Sequence, residues 1–218
     1  FKAKDNMFIW PPEDGSDVEI YRGPNIKPIP KREPLSEEVE GEVLLKVGDN
    51  ITTDHIMPAG SKILPLRSNI PAISEHVFEQ VDPEFSKRAR EKGGGFLVGG
   101  HNYGQGSSRE HAALAPMHLG IHAVIAKSYS RIHRSNLINF GILPLVFADE
   151  GDYDRVEQGD ELVMHDAVDS LKEGVVAIEN RTQDFTFEAR ADLSDGERET
   201  AIAGGRLNVI AREQGAAK

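Results

Sequence analysis

The sequence predicts an α/β fold built on a largely parallel sheet, with a smaller antiparallel part toward the C-terminus. Two observations carry this expectation. Between residues 42 and 147, strand-like runs, an alternating one at 42–47 and largely apolar ones at 96–98, 122–126 and 143–147, alternate with stretches of helical pattern. Beyond Tyr153 the pattern changes to short alternating strands, among them residues 175–178 and 185–187, and nothing repeats at a fixed period.

The elements follow in order. Residues 1–40 hold Pro11, Pro12, Pro24, Pro28, Pro30 and Pro34 among many charges, which predicts an extended linker or arm. Phe8 and Trp10 are expected to pack, because aromatic side chains bury area readily. The domain proper is expected over 41–218. It opens with an alternating strand at 42–47 that ends at Gly48-Asp49. A loop at 58–71 precedes a mostly helical stretch at 73–92, with a break expected near Asp82-Pro83. Gly93-Gly94-Gly95 punctuate before the strand at 96–98, and a helix is expected from 108–110 to 119. A strand at 122–126, a helix at 130–139 closed by Phe140-Gly141, and a strand at 143–147 come next. Residues 194–197 start a helix that runs toward Ile202.

Composition narrows the function classes. The chain has 218 residues, 39% of them hydrophobic, and a formal net charge of −11. That charge argues against binding a phosphate backbone, so no nucleic-acid partner is expected. The cluster Lys87-Arg88-Ala89-Arg90 reads as the solvated face of a helix. No apolar run reaches the roughly 18 residues a membrane span needs, so no membrane partner is expected either. Phe1 is not an initiator methionine and no signal-peptide pattern follows it, so the chain reads as the end of a longer protein, a processed product or a trimmed chain. It contains no cysteine, which is compatible with a reducing, cytoplasmic setting.

The most informative stretch is Gly106-Ser107-Ser108-Arg109-Glu110-His111. It is a glycine-flanked turn between a strand and a helix, where backbone N–H groups and a helix N-terminus face the occupant of the turn. Two serines and an arginine there suit an anion, or a serine held as an alkoxide; a simple N-cap is the competing reading. Upstream stands Gly48-Asp49-Asn50-Ile51-Thr52-Thr53-Asp54-His55-Ile56. Asp54 could orient a serine or an arginine, or only cap its turn; His55 reads as structural. His111 lies four residues after Ser107, but Arg109 stands where a nucleophile elbow needs glycine, so a hydrolase pair is disfavoured and His111 is expected to order the helix or pack below the site. His118 and His122 are separated by Gly120, and no Cys/His spacing suits zinc, so no metal ligand is assigned.

These two motifs, with the blocks at 126–133, 139–145 and 203–208, resemble the small swivelling domain of the aconitase family over residues 40–210. The family includes aconitase, homoaconitase and the small subunit of isopropylmalate isomerase. The resemblance implies a layered β/β/α swivelling domain with a mainly parallel sheet and a smaller antiparallel part, joined by the arm to a larger catalytic portion. It implies a hydro-lyase of the aconitate hydratase type, converting citrate to isocitrate through cis-aconitate. Ser107 would then be the general base, with Arg109 and Asp54 in the catalytic set and Ser108 and Arg109 binding the tricarboxylate substrate. Arg67, in the loop at 61–69, would grip a substrate carboxylate, with Lys62 as the competing candidate. Family members hold a [4Fe–4S] cluster through cysteine thiolates, which this chain lacks. The cluster is therefore expected on cluster-bearing catalytic domains, in the same polypeptide or a separate subunit, and the chain alone is expected to be inactive. Ser128, Arg131 and His133 read as mainly structural. Related substrates (isopropylmalate, homoaconitate, 2-methylcitrate), an RNA-binding module and an independent serine hydrolase are the competing readings.

Overall fold

The computed structural model describes Lys4 and residues 6–215. Among the described residues seven strands, β1 (Val39–Lys46), β2 (Gly95–Gly99), β3 (Ile121–Ala126), β4 (Leu143–Phe147), β5 (Glu161–Met164), β6 (Val175–Asn180) and β7 (Phe185–Arg190), close into a barrel in the order β1-β2-β3-β4-β7-β6-β5. The ladders β1/β2, β2/β3 and β3/β4 are parallel; β4/β7, β7/β6, β6/β5 and β5/β1 are antiparallel.

Burial explains why the parallel strands read as unbroken apolar runs. Alternate residues serve two different cores, as the two-residue strand period requires. Val43, Phe96, Val98, Ile125, Leu145 and Phe147 fill the barrel together with Ile178 and Phe187 from the antiparallel strands. Leu44, Leu97 and Val124 face outward against a second core that contains Ile56, Phe78, Phe85, Tyr103 and Leu114. In β6 and β7 only alternate residues are buried, so these strands show the in–out pattern of a half-solvated sheet.

The helices are α1 (Thr53–Ile56), α2 (Ile70–Ile73), α3 (Phe85–Lys92), α4 (His111–His118), α5 (Arg131–Asn139), α6 (Asp152–Arg155), α7 (Ala167–Glu173), α8 (Asp195–Ile202) and α9 (Arg206–Glu213). Local chemistry sets several boundaries. Gly93 ends α3 in the left-handed conformation (φ 75°). Ser194 and Glu197 form a capping box at the start of α8.

The structure corrects four expectations. The parallel and antiparallel parts are joined edge to edge in one closed barrel in place of separate layers, because β4 meets β7 at Val146–Arg190 and β5 returns to β1. The stretch 73–92 is helical only at its ends: Phe78 adopts φ 57°, and residues 77–84 turn before α3 begins. The helix expected from 108–110 starts at His111. Phe8 and Trp10 are 65% and 72% exposed and lie beside one another, centroids 5.8 Å apart. They precede Asn25, from which hydrogen bonds tie the arm to the domain: Asn25 to Pro65, Lys27 to Ser68, Leu35 to Ile202 and Ala167 to Glu37. Before Val39 the described residues form no helix or strand. No helix among the described residues is long and apolar enough to cross a membrane.

Candidate active site

The parallel order places the C-terminal ends of β1, β2 and β3 on one rim, where ligand-facing loops gather in α/β sheets. Backbone hydrogen bonds lace these loops together. Gly104 N and Gln105 N donate to Ile51 O at 2.7 and 3.0 Å, and Thr53 N donates to Gln105 O at 2.8 Å. His101 N donates to Asp49 Oδ1 at 2.7 Å. The Ser128 hydroxyl accepts from Asn102 N at 2.8 Å, and its carbonyl accepts from Tyr103 N at 2.9 Å. Ser128 thus braces the loop that leads to Ser107.

Beneath that loop lies His133, buried to 2% exposure on α5 and tilted against Tyr103, ring centroids 5.6 Å apart. Gly104 passes directly over its ring at φ 81°, and a Cβ at Gly104 would overlap the His133 ring atoms. Only glycine combines that conformation with that approach. Both His133 ring nitrogens are buried without partners, and burial holds its pKa down at about 4, so the ring is neutral at physiological pH.

The upstream motif folds as α1. Thr52 caps it: its hydroxyl accepts from His55 N, and His55 Nδ1 accepts from Thr52 N, each at 3.1 Å. This occupies His55 structurally and turns Asp54 outward. Arg109 Nη1 donates to Asp54 Oδ1 and to the Met57 carbonyl, both at 2.7 Å. The side chains are unequally covered, Arg109 at 20% and Asp54 at 63% exposure. The structure therefore brings Asp54 to the arginine.

Ser107 and Ser108 are both exposed and precede α4 by four and three residues. Glu110, not a serine, is the N-cap, and its side chain makes no capping bond. The helix terminus assigned to these serines from the sequence thus lies one turn further along the chain. Arg109 follows them directly in the chain, while the N–H groups of Gly104 and Gln105 just before them are already bonded to Ile51 O.

Arg67 follows a short 3-10 turn (Leu64–Leu66) and is exposed. It shares a cavity of about 190 Å³ with Arg109, His111, Met57, Ile63 and Leu64; Lys62 does not line it. His111 Nε2 lies 2.8 Å from the Arg67 carbonyl, which can only accept, so this nitrogen carries the proton and is committed to the Arg67 segment. That geometry departs from a Ser107–His111 catalytic pair. The bond from His111 to Arg67, the role of the Met57 carbonyl, and contacts from Asn25 to the Arg67 segment are absent from the sequence reading. The first had a signal, the spacing from Ser107, but it pointed to a different partner.

Among the described residues no three His, Cys, Asp or Glu side chains converge as a metal site. With no cysteine in the chain, the donor set does not fit a [4Fe–4S] cluster. His122 Nδ1 lies 3.0 Å from Arg32 Nη2, and burial followed by the Arg32 charge depresses its pKa to about 4.

Comparison with known proteins gives the chain's relatives. The family described as aconitase C-terminal domain matches residues 74–150. The chain is 47% identical over 138 residues to 3-isopropylmalate dehydratase small subunit 2 of Archaeoglobus fulgidus, covering 63% of this chain and 74% of that one. It is 31% identical to a probable mitochondrial aconitate hydratase of Dictyostelium discoideum, covering 98% of this chain but 32% of the other. It is 33% identical to the mitochondrial homocitrate dehydratase of Saccharomyces cerevisiae, covering 91% of this chain and 29% of that enzyme. The chain thus spans about a third of these two long relatives and most of the small subunit. The crystal structure of a 3-isopropylmalate dehydratase from Methanocaldococcus jannaschii superposes with a TM-score of 0.68 at 29% identity, covering 82% of this chain and 96% of that one.

Proposed function

The chain belongs to the aconitase C-terminal domain family, and we propose that it is the swivel domain of an aconitate hydratase. It would supply the base and the carboxylate grips for interconverting citrate and isocitrate through cis-aconitate. The observation that carries this reading is the shared cavity. Arg67 and Arg109, from segments 42 residues apart, line one opening at the strand-end rim, on the same rim loop system as the exposed Ser107. Two guanidinium groups suit a substrate that carries several carboxylates.

Ser107 Oγ takes the carbon-bound proton next to a substrate carboxylate, and water re-adds to the double bond after the hydroxyl has left. A serine is too weak a base unless its oxyanion is stabilised, a task for Arg109 and the loop N–H groups. Exposure of Ser107, Ser108, Asp54 and Arg67 fits half of a site, completed by a cluster-bearing catalytic portion on the same polypeptide or another subunit.

A second reading is isopropylmalate as substrate. It is favoured by the identity to the archaeal small subunit and by the apolar wall of the cavity, Met57, Ile63, Leu64 and Ile73, which would accept an isopropyl group. The tricarboxylate reading is favoured by the matches that extend over the arm, 98% and 91% of this chain.

The test is hydration of cis-aconitate by this chain alone and then with a reconstituted cluster-bearing catalytic portion, with isopropylmalate as the competing substrate. Activity with cis-aconitate only in the mixture supports the reading. Preference for isopropylmalate replaces the substrate, and activity of the chain alone overturns the half-site.

A further inference from the structure

The arm does more than lead into the domain, because one of its side chains holds the segment that carries Arg67. Asn25 Nδ2 donates to the Pro65 carbonyl at 2.6 Å, and Asn25 Oδ1 accepts from Asn69 Nδ2 at 3.1 Å. Asn69 in turn accepts from Ala72 N at 3.3 Å and so caps α2. Two residues on, Lys27 N donates to the Ser68 carbonyl at 2.9 Å. Arm contacts thus bracket Arg67 at positions 65, 68 and 69, while His111 bonds its carbonyl. Asn25, Ile26, Pro65, Arg67 and Ser68 line one shallow cleft between arm and segment.

We infer that Asn25 is a positioning residue for Arg67, so that the arm sets how firmly the site grips a substrate carboxylate. The physical reason lies in the segment itself. The Arg67 backbone belongs to a short turn closed by only a few local bonds, Arg67 N to Leu64 O at 3.2 Å and Asn69 N to Leu66 O at 2.7 Å, with no long helix to hold it. An amide side chain that bonds both ends of the turn restricts it before substrate arrives. Such preorganisation shows in affinity more than in the chemical step. Asn25 touches no reacting atom; it acts through the turn. The inference rests on the proposed carboxylate role of Arg67.

The experiment uses the full chain assembled with its cluster-bearing catalytic portion, on whichever of cis-aconitate or isopropylmalate is turned over. Asn25→Ala is expected to raise KM about five- to tenfold, the order of one or two lost hydrogen bonds, with kcat within about twofold. Hydrogen exchange at the Arg67 and Asn69 amides is expected to quicken, with the melting temperature of the domain unchanged. In an Arg67→Ala background the Asn25 substitution should add nothing, because the two act as one unit. An unmoved KM, or effects that add in the double variant, overturns the inference. An Arg67→Ala variant with wild-type KM instead removes the carboxylate role of Arg67, a failure read without touching Asn25, and takes this inference with it.

Discussion

Arg109 spends a single nitrogen on two anchors: Nη1 donates to Asp54 Oδ1 and to the Met57 carbonyl, each at 2.7 Å. An Nη group has two hydrogens, so these bonds leave Nη2 and Nε, the edge that grips a carboxylate bidentately. On the proposed reading, Asp54 serves to aim the guanidinium. Asp54→Ala should lower kcat/KM about tenfold, because Arg109 loses its orientation. Stability should change by less than about 1 kcal/mol, since the carboxylate is 63% exposed and solvent screens the pair. Arg109→Lys should lose more, on the order of a hundredfold in kcat/KM, because an ammonium cannot reproduce the fork. Steady-state kinetics beside thermal melts separate the two; a large loss of stability in Asp54→Ala would reassign the pair to the fold.

Ser107→Ala removes the proposed base from an exposed loop, so folding should be unaffected. A positioned general base contributes roughly 10²- to 10⁴-fold, and kcat in the assembled enzyme should fall by that factor with KM nearly constant. Ser108→Ala, a neighbour assigned to substrate binding, should show the reverse pattern, a raised KM and a modest change in kcat. Near-normal turnover in Ser107→Ala would end its role as base.

The contrast between what the sequence foretells and what it does not has a physical origin in these same residues. The parallel strands β2, β3 and β4 are legible because they bury both faces, which leaves unbroken apolar runs at 96–98, 123–126 and 143–147. Closure of the barrel is not legible, since it depends on Val146 meeting Arg190 and Phe147 meeting Ala189, a register set by tertiary packing. The serine motif mimics a helix start, yet the lacing of 104–105 to Ile51 and Thr53 holds the chain out of helix until His111. Asp54 and Arg109 are 55 residues apart, so their pairing was only one of two open readings for Asp54. Asn25 sits in a proline-rich stretch whose composition signals a linker and carries no trace of its bond to Pro65, 40 residues away.

Gly104 should be intolerant of any side chain. Its φ of 81° disfavours a Cβ, and that atom would overlap the His133 ring, whose burial leaves it little room to yield. Gly104→Ala is expected to cost roughly 3 kcal/mol, from strained backbone together with overpacking. Adding His133→Ala removes the ring but keeps its Cβ, which a methyl at Gly104 would still meet at 2.5 Å, so it should recover only part of the packing share and none of the backbone share. Denaturant titration of the two variants measures this; a double variant with no recovery at all would mean that the His133 ring contributes nothing to the cost.

Stability should fall on acidification in a window set by two histidines, His133 buried and His122 half-buried. His133 and His122 each have a pKa lowered from 6.5 to about 4, by burial in both cases and by the Arg32 charge in addition for His122. A lowered histidine pKa means that the unfolded chain takes up the proton more readily. Between pH 6.5 and about 4 the unfolded state therefore binds more protons, and stability declines as the pH drops, levelling off below about 4. For His133, which is almost fully buried, the loss across that window is on the order of 3 kcal/mol. His133→Gln keeps a polar side chain that does not titrate, so it should flatten the decline by about that amount even if it lowers stability at pH 7. Unfolding free energies measured at half-unit steps from pH 7 to pH 4 give the slope directly. An unchanged slope in His133→Gln would mean that the ring is protonated in the folded protein as readily as in the unfolded chain, and that the space around it admits water.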